Sequence, residues 1–501
     1  MDVRGASARR NGPAYLVLVG AVAGSLLTAL VLPMIAGETD RSQIGGLVGE
    51  GTNDGGTALG PRSRTGQNGT PGSARGNGPG VLGAGTGPSG GVVDPSGSGA
   101  AAATDVGVND KEIKVGFLLL DVGSIGRIGI TVPGVDPEQQ REAFEAFIAD
   151  VNKGGGIHGR KLVGAYEVFD VLSQDDMRRA CLAIRDQKPF AVVASGGFYG
   201  PAMLCLTEEG KTPLINQGSQ GTPSEYMRRS NGLLVTMYPE GDRVMLNWVA
   251  ELDRLGKLKG RKIGIVSQES TNPNDTVIGG SLIPALKRFG YTPTHVTRLS
   301  ADQSTAASQM PIEVQQMSRK GVNVVMLTTT TLASSQFVQT ADNQAYRPQY
   351  TLTDWGSMNN DTSNQSMPDS YNGAIGITSY KTGEHRIGIK EGAEERDCRR
   401  VYEKGTGRKL ANWGENENGL TLSNCTTFRA LVRGAEEAGP SLTRASFSRG
   451  VQAIGDFPMA MWGRGSFRPN KLDAADQVRT IEWRADCRCL VPTSGFRQSR
   501  F

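Results

Sequence analysis

The sequence predicts an α/β protein of two doubly wound parallel-sheet lobes, preceded by a membrane helix and an unstructured tether. Three observations carry this reading. From residue 112 to about 354, short apolar runs rich in β-branched residues alternate with helical patterns, the order that parallel βαβ units produce. The alternation falls into two consecutive halves of about 120 residues, each long enough for its own sheet. Ahead of it stand an uncharged apolar run and a Gly-, Ser- and Pro-rich stretch with almost nothing to bury.

Residues 14–36, AYLVLVGAVAGSLLTALVLPMIA, are 23 uncharged residues that follow Arg4, Arg9 and Arg10. That length spans a bilayer as a helix, and the basic flank places residues 1–13 in the cytoplasm. The competing reading is a cleaved secretory signal, after which the remainder is secreted. Both readings export the rest of the chain. No cysteine precedes Cys181, so a lipid-modified cysteine is not expected behind this segment. Residues 37–105 read as a disordered linker that holds the domain beginning at 106 about 45 Å from the membrane.

The elements follow in order. EIKVGFLLL (112–120) is a buried strand. The helix at 138–151 sets Phe144, Phe147, Ile148 and Val151 on one face. DVNKGGGIHGRKL (150–162) then stops that helix at Gly154, Gly155 and Gly156, which supply unusual backbone angles, and feeds a strand at 161–169. A helix at 175–187, a strand at 190–195, a helix at 201–210 and a strand at 213–216 complete the first half. The second half runs as helix 242–256, strand 262–267, helix 276–289, strand 292–299, helix 308–320, strand 322–327, helix 332–342 and strand 349–354. Beyond 357 the pattern is broken: one strand (373–379), helices at 393–404, 420–438 and 442–454, and a turn-and-strand finish. This segment is expected to complete both lobes.

Composition excludes some functions. With 54 basic and 50 acidic residues the net charge is +4, and no Lys/Arg block marks a nucleic-acid surface. The chain has three histidines, His158, His295 and His385, no metal-spaced cluster, and no GxSxG elbow set between a strand and a helix (GPSGG at 87–91 lies in the Gly-rich stretch), so no enzyme and no cofactor is expected. The glycines of VGSIGRIGI (122–130) do not match a dinucleotide fingerprint. All six cysteines follow residue 180, and an even count in an exported chain points to disulfides. Cys487 and Cys489 have no second close pair to complete a zinc site.

GFLLLDVG, FIADVNKGGGIHGRKL, VFDVLSQDDMRRACLAI, FAVVASGGFYG and TPLINQGSQ occur in that order. Together they resemble the substrate-binding proteins of branched-chain amino-acid-type ABC transporters (leucine/isoleucine/valine-binding-protein-like), which have the type I periplasmic-binding-protein fold. The glycine turn, with Asn152, Gly155, Gly156, Gly159 and Arg160, looks like that family's scaffold turn. The resemblance covers about 110–490. It implies a first lobe of about 111–236 and 357–455, a second of about 237–356 and 456–501, a three-strand hinge, and a small molecule bound between the lobes.

In that family the ligand is held by loops at strand carboxyl ends. The matching positions are Ser195, Gly197, Phe198 and Tyr199, whose loop offers donors to a carboxylate, and Asn216, Gln217 and Ser219. From the second lobe come Gln268 and Glu269, Thr328 and Thr329, and Asp354 and Trp355. Ordinary turn chemistry and lobe packing explain the same residues equally well. Where the family often has an acid for a ligand ammonium, this chain has TTTT (328–331), which puts an amino-acid ligand in doubt. Glu269 or Asp354 is one replacement on offer, and a neutral polar ligand, or one stacked on Tyr199 or Trp355, fits the pattern equally well. Cys181 with Cys205, Cys398 with Cys425 and Cys487 with Cys489 is the expected pairing out of 15 connectivities. The expected function is capture of a small polar molecule, such as an amino acid or amide, for ABC transporter permease subunits. The alternative is a membrane-tethered ligand-sensing or protein-interaction ectodomain of the same fold.

Overall fold

The computed structural model describes residues 104–123, 136–269, 277–410 and 416–501. The proposed membrane segment, nearly all of the linker and most of the loop at 122–130 lie outside these. No helix of the described residues is long and apolar enough to cross a membrane.

The first sheet has five parallel strands in the order β2-β1-β3-β4-β5: β1 (Glu112–Asp121), β2 (Lys161–Asp170), β3 (Ala191–Ala194), β4 (Leu214–Asn216) and β5 (Leu234–Thr236). Alternate side chains of β1 enter different cores. Val115, Phe117 and Leu119 pack on one face of the sheet and Leu118 on the other, the period of two that a sheet covered on both sides requires. The three-residue strand β5 was not anticipated.

The second sheet runs, in spatial order, Cys489–Pro492, Gln477–Arg484, Ile375–Thr378, Gln349–Leu352, Val324–Leu327, Ile263–Val266 and Pro293–Val296, with Arg497–Gln498 also on Gln477–Arg484. Its parallel members are β6 (Ile263–Val266), β7 (Pro293–Val296), β8 (Val324–Leu327), β9 (Gln349–Leu352) and β10 (Ile375–Thr378). The antiparallel finish comprises β13 (Gln477–Arg484), β14 (Cys489–Pro492) and β15 (Arg497–Gln498). Again the faces alternate, with Val325 and Leu327 in one core and Val324 and Met326 in the other.

Two lobe boundaries differ from expectation. Residues 357–378 stay with the second lobe, because β10 pairs with β9 and β13. Residues 456–475 belong with the first: Phe457, Met459, Trp462, Phe467 and Ala474 enter the core that holds Phe117, and Asp473 bridges to Thr236 at the sheet edge. Three connections therefore join the lobes, at 237–240, 379–383 and 475–477.

The glycine turn ties down the first lobe. Helix α1 (Pro137–Lys153) is capped by Asp136, which accepts from the Gln139 N–H, and it ends at Gly154. Asn152 then holds both the N–H and the carbonyl of Leu162, at 2.7 and 2.9 Å. The fully buried Arg160 donates to the carbonyls of Asn109 and Pro440, each at 2.8 Å. A Cβ at Gly156, whose φ is +71°, would lie 2.0 Å from the Arg160 carbonyl oxygen, so glycine is required there. The three expected disulfides are all present, and no free cysteine remains.

Candidate functional site

The carboxyl ends of the first sheet's strands, and those of β9 and β10 in the second sheet, border a cavity of about 220 Å³. From the first lobe come Leu120, Val171, Gly197, Gln217 and Ser219, with Leu420 from the helix α11 (Asn416–Glu437). The second lobe supplies Asn360, Asp361, Thr362 and Ser363, and the hinge supplies Tyr238 and the run from Tyr380 to Glu384. Helix α9 (Asp361–Asn364) starts here because the Asn360 side chain accepts from the Ser363 N–H.

Of the expected ligand residues, Gly197, Gln217 and Ser219 line this cavity. The Ser219 hydroxyl accepts from the Gly197 N–H at 3.2 Å, and the Ser219 carbonyl accepts from the N–H and hydroxyl of Ser357 across the lobes, at 3.1 and 2.9 Å.

The others stand behind or beside it. Ser195 is fully buried and its Oγ has no partner among the described residues. Phe198 packs edge-on to Phe169 in the core, and Asn216 donates to the Phe198 carbonyl at 3.0 Å. Tyr199 bonds to Gln174, and burial pushes its hydroxyl pKa up. Gln268 donates to the Ser300 carbonyl at 3.1 Å, and Glu269 is exposed. Thr328 bonds to the Val266 carbonyl at 2.7 Å and Thr329 to Ser334 at 2.7 Å, so both hydroxyls serve the strand end and the helix start. Trp355 is buried against Gly221 of the other lobe, a packing role.

Asp354 is also removed from the cavity. Its carboxylate accepts from Asn359 at 2.8 Å and from the N–H and hydroxyl of Ser379 at 2.8 and 2.6 Å. Burial pushes its pKa up and these hydrogen bonds oppose the shift. Its geometry is that of a clamp on the hinge.

A sequence model described as periplasmic binding protein matches residues 112–488. The chain belongs to the periplasmic binding protein family. Solved structures share the fold at low identity. A type 1 periplasmic binding protein from Bordetella pertussis is 18% identical, with a TM-score of 0.56, over 77% of this chain and 99% of that one. A possible leucine/isoleucine/valine-binding protein from Rhodopirellula baltica is 16% identical, with a TM-score of 0.55, over 79% of this chain and 98% of that one. An ABC transporter solute-binding protein from R. palustris in complex with 4-hydroxybenzoate is 14% identical, with a TM-score of 0.56, over 78% and 98%. Comparison with curated proteins gives no match.

The cleft residues of this periplasmic binding protein that sequence reasoning missed include those of 360–363 and 380–384 and the apolar wall of Leu120, Val171, Tyr238, Leu420 and Met461. Asn360 followed by Ser363 is a readable helix-cap signal, but nothing local says that this cap faces the other lobe. Tyr238, Tyr380 and Trp462 form an aromatic cluster at the hinge, the two tyrosines stacked at 5.7 Å and each edge-on to the tryptophan.

Proposed function

We propose that the protein is an extracytoplasmic solute-binding component that captures a small molecule between its lobes and delivers it to ABC transporter permease subunits. The observation that carries this is the cavity bordered by both lobes and the hinge, in a chain of this family. In this reading Gly197, Gln217, Ser219 and the 360–363 helix start contact the ligand. Ser195, Phe198, Tyr199, Asn216, Gln268, Glu269, Thr328, Thr329, Asp354 and Trp355 hold the surrounding framework. Residues 14–36 tether the protein to the membrane or direct its export, supported by their uninterrupted apolar run behind three arginines.

The test is thermal unfolding of the full-length chain, stripped of co-purified ligand, against amino acids, amides, carboxylates, polyamines and sugars. A ligand at 100 times its dissociation constant adds about 2.7 kcal/mol. A selective rise in the midpoint that disappears in Leu420→Trp, which fills the cavity, supports the reading. A well-folded protein that shifts with no class counts against it.

A further inference from the structure

Among the described residues, the cleft lining carries charge at Asp361, Lys381 and Glu384. Each is already closed off by a group of opposite sign. Asp361 pairs with Arg386 through one oxygen, and its other oxygen accepts from the Leu490 N–H at 2.8 Å. Glu384 pairs with Arg479 at 2.5 Å, and these side chains are only 4% and 2% exposed. Arg479 is further held by the carbonyls of Tyr380 and Thr382, at 3.3 and 3.1 Å. Lys381 pairs with Glu395 and donates to the Ala460 carbonyl at 2.7 Å. Asp354 is consumed by Asn359 and Ser379, and Glu269 lies off the cavity.

The uncommitted polar groups are neutral. The Gln217 carboxamide makes no hydrogen bond among the described residues, although the residue is 5% exposed and borders the cavity. Thr362 belongs to the same lining from the second lobe, and its Oγ1, shielded from solvent, also has no partner among the described residues. Ser219 keeps its hydroxyl proton after accepting from Gly197. Much of the remaining wall is apolar: Leu120, Val171, Leu420, Met461 and the rings of Tyr238 and Tyr380, whose hydroxyls are engaged by Asn359 and Ser423.

A charged ligand entering here would shed water without gaining a counter-charge, or would have to take one partner and leave the other unpaired. A neutral amide or hydroxyl meets the unpaired Gln217 carboxamide on one lobe and, by rotation of the Thr362 side chain, an unpaired hydroxyl on the other. We propose that the cleft selects an uncharged small molecule whose amide or hydroxyl group bridges Gln217 and Thr362 while its apolar part packs on Leu420 and Tyr380. The inference rests on the solute-binding reading above and names the class of solute.

Calorimetric titration of the full-length, ligand-stripped chain with matched sets tests it: butyrate, butyramide, butanol and butylamine, and benzoate, benzamide, benzyl alcohol and benzylamine. The expected result is that a neutral member binds at least about tenfold tighter than the charged members of its set. Gln217→Leu should weaken that neutral member at least about tenfold and leave charged members unchanged. Arg386→Gln, which uncovers Asp361, should raise affinity for the amines. Tighter binding of a carboxylate or an amine, lost in Leu420→Trp, would overturn the charge inference while leaving the solute-binding reading intact. Amine affinity unchanged in Arg386→Gln would overturn it as well. No binding by any member would overturn the inference, while the solute-binding reading would still stand or fall on the wider panel above.

Discussion

Arg243, near the start of the second lobe's first helix, forms an ion pair with Asp473 at the edge of the first lobe's sheet. The same guanidinium donates to the Ala475 carbonyl at 3.0 Å and to the Phe501 carbonyl at 2.9 Å, while Asp473 also accepts from the Glu240 N–H at 3.0 Å. One side chain thus ties two hinge connections and the carboxyl end of the chain. Asp473 is 4% exposed and Arg243 16%, and removing one member leaves the other only a longer ion pair, Lys471 at 3.7 Å from Asp473 and Asp476 at 3.9 Å from Arg243.

Asp473→Ala or Arg243→Ala should therefore cost about 1.5–3 kcal/mol, the range for losing a hydrogen bond to a charged group while a second counter-charge remains. Urea unfolding measures this. A loss below about 1 kcal/mol, typical of an exposed pair, would show that the hinge does not depend on the contact.

Glu240 sits beside that pair. Burial, with the charges of Asp473 and Asp242, pushes its pKa up from 4.5 to about 7, and Arg243 and a bond to Ser224 oppose the shift. A carboxyl with a raised folded pKa holds its proton more tightly in the folded state. Its stabilising contribution is complete below about pH 4.5 and is lost as pH rises through about 7. Glu240→Gln should remove this dependence, gaining up to about 3 kcal/mol over the parent at pH 8 and nothing from this source near pH 4. Parallel stability profiles for the two proteins would contradict the assignment.

The disulfides should differ in value according to the chain they enclose. Cys181–Cys205 and Cys398–Cys425 span separations of 24 and 27 residues, whereas Cys487–Cys489 spans 2. Loop-closure entropy gives about 3.5 kcal/mol for each of the first two and less than half of that for the third. Paired alanine variants followed by denaturant unfolding should reproduce that order. An equal or larger loss at 487 and 489 would mean that the hairpin disulfide does more than close a loop.

Gly221 meets Trp355 between the lobes. Its φ is +96°, and a Cβ there would lie 2.5 Å from the indole ring. Gly221→Ala is expected to cost more than about 1 kcal/mol through backbone strain alone, with further loss from the displaced indole. Tryptophan fluorescence should shift in the folded protein. A variant as stable as the parent with an unchanged spectrum would show that the loop absorbs the methyl group freely.

The fold was largely legible because strands covered on both faces read as apolar runs: FAVVAS contains β3, and VNVVML contains β8. LVT, which forms β5, is too short to give a period. The strand at 375–378 was recognised, but its sheet was not, because an apolar run says that it is buried and not against what. The same gap moved 456–475 to the wrong lobe; its membership is fixed by where Phe457 and Trp462 pack. Gly197, Gln217 and Ser219 were reachable because they follow first-lobe strands directly. Thr362 and Tyr380 were not, since their approach to the cleft depends on how the second lobe is set on the hinge.

The most direct measurement is to unfold the purified full-length chain, collect the small molecules it releases, and titrate them back into the refolded protein and into Leu420→Trp. The account predicts saturable one-to-one binding to the parent and at least about tenfold weaker binding, about 1.4 kcal/mol, to a variant that unfolds at the same denaturant concentration. Equal affinity in both, or no binding to either, would contradict the claim that a solute is held between the lobes.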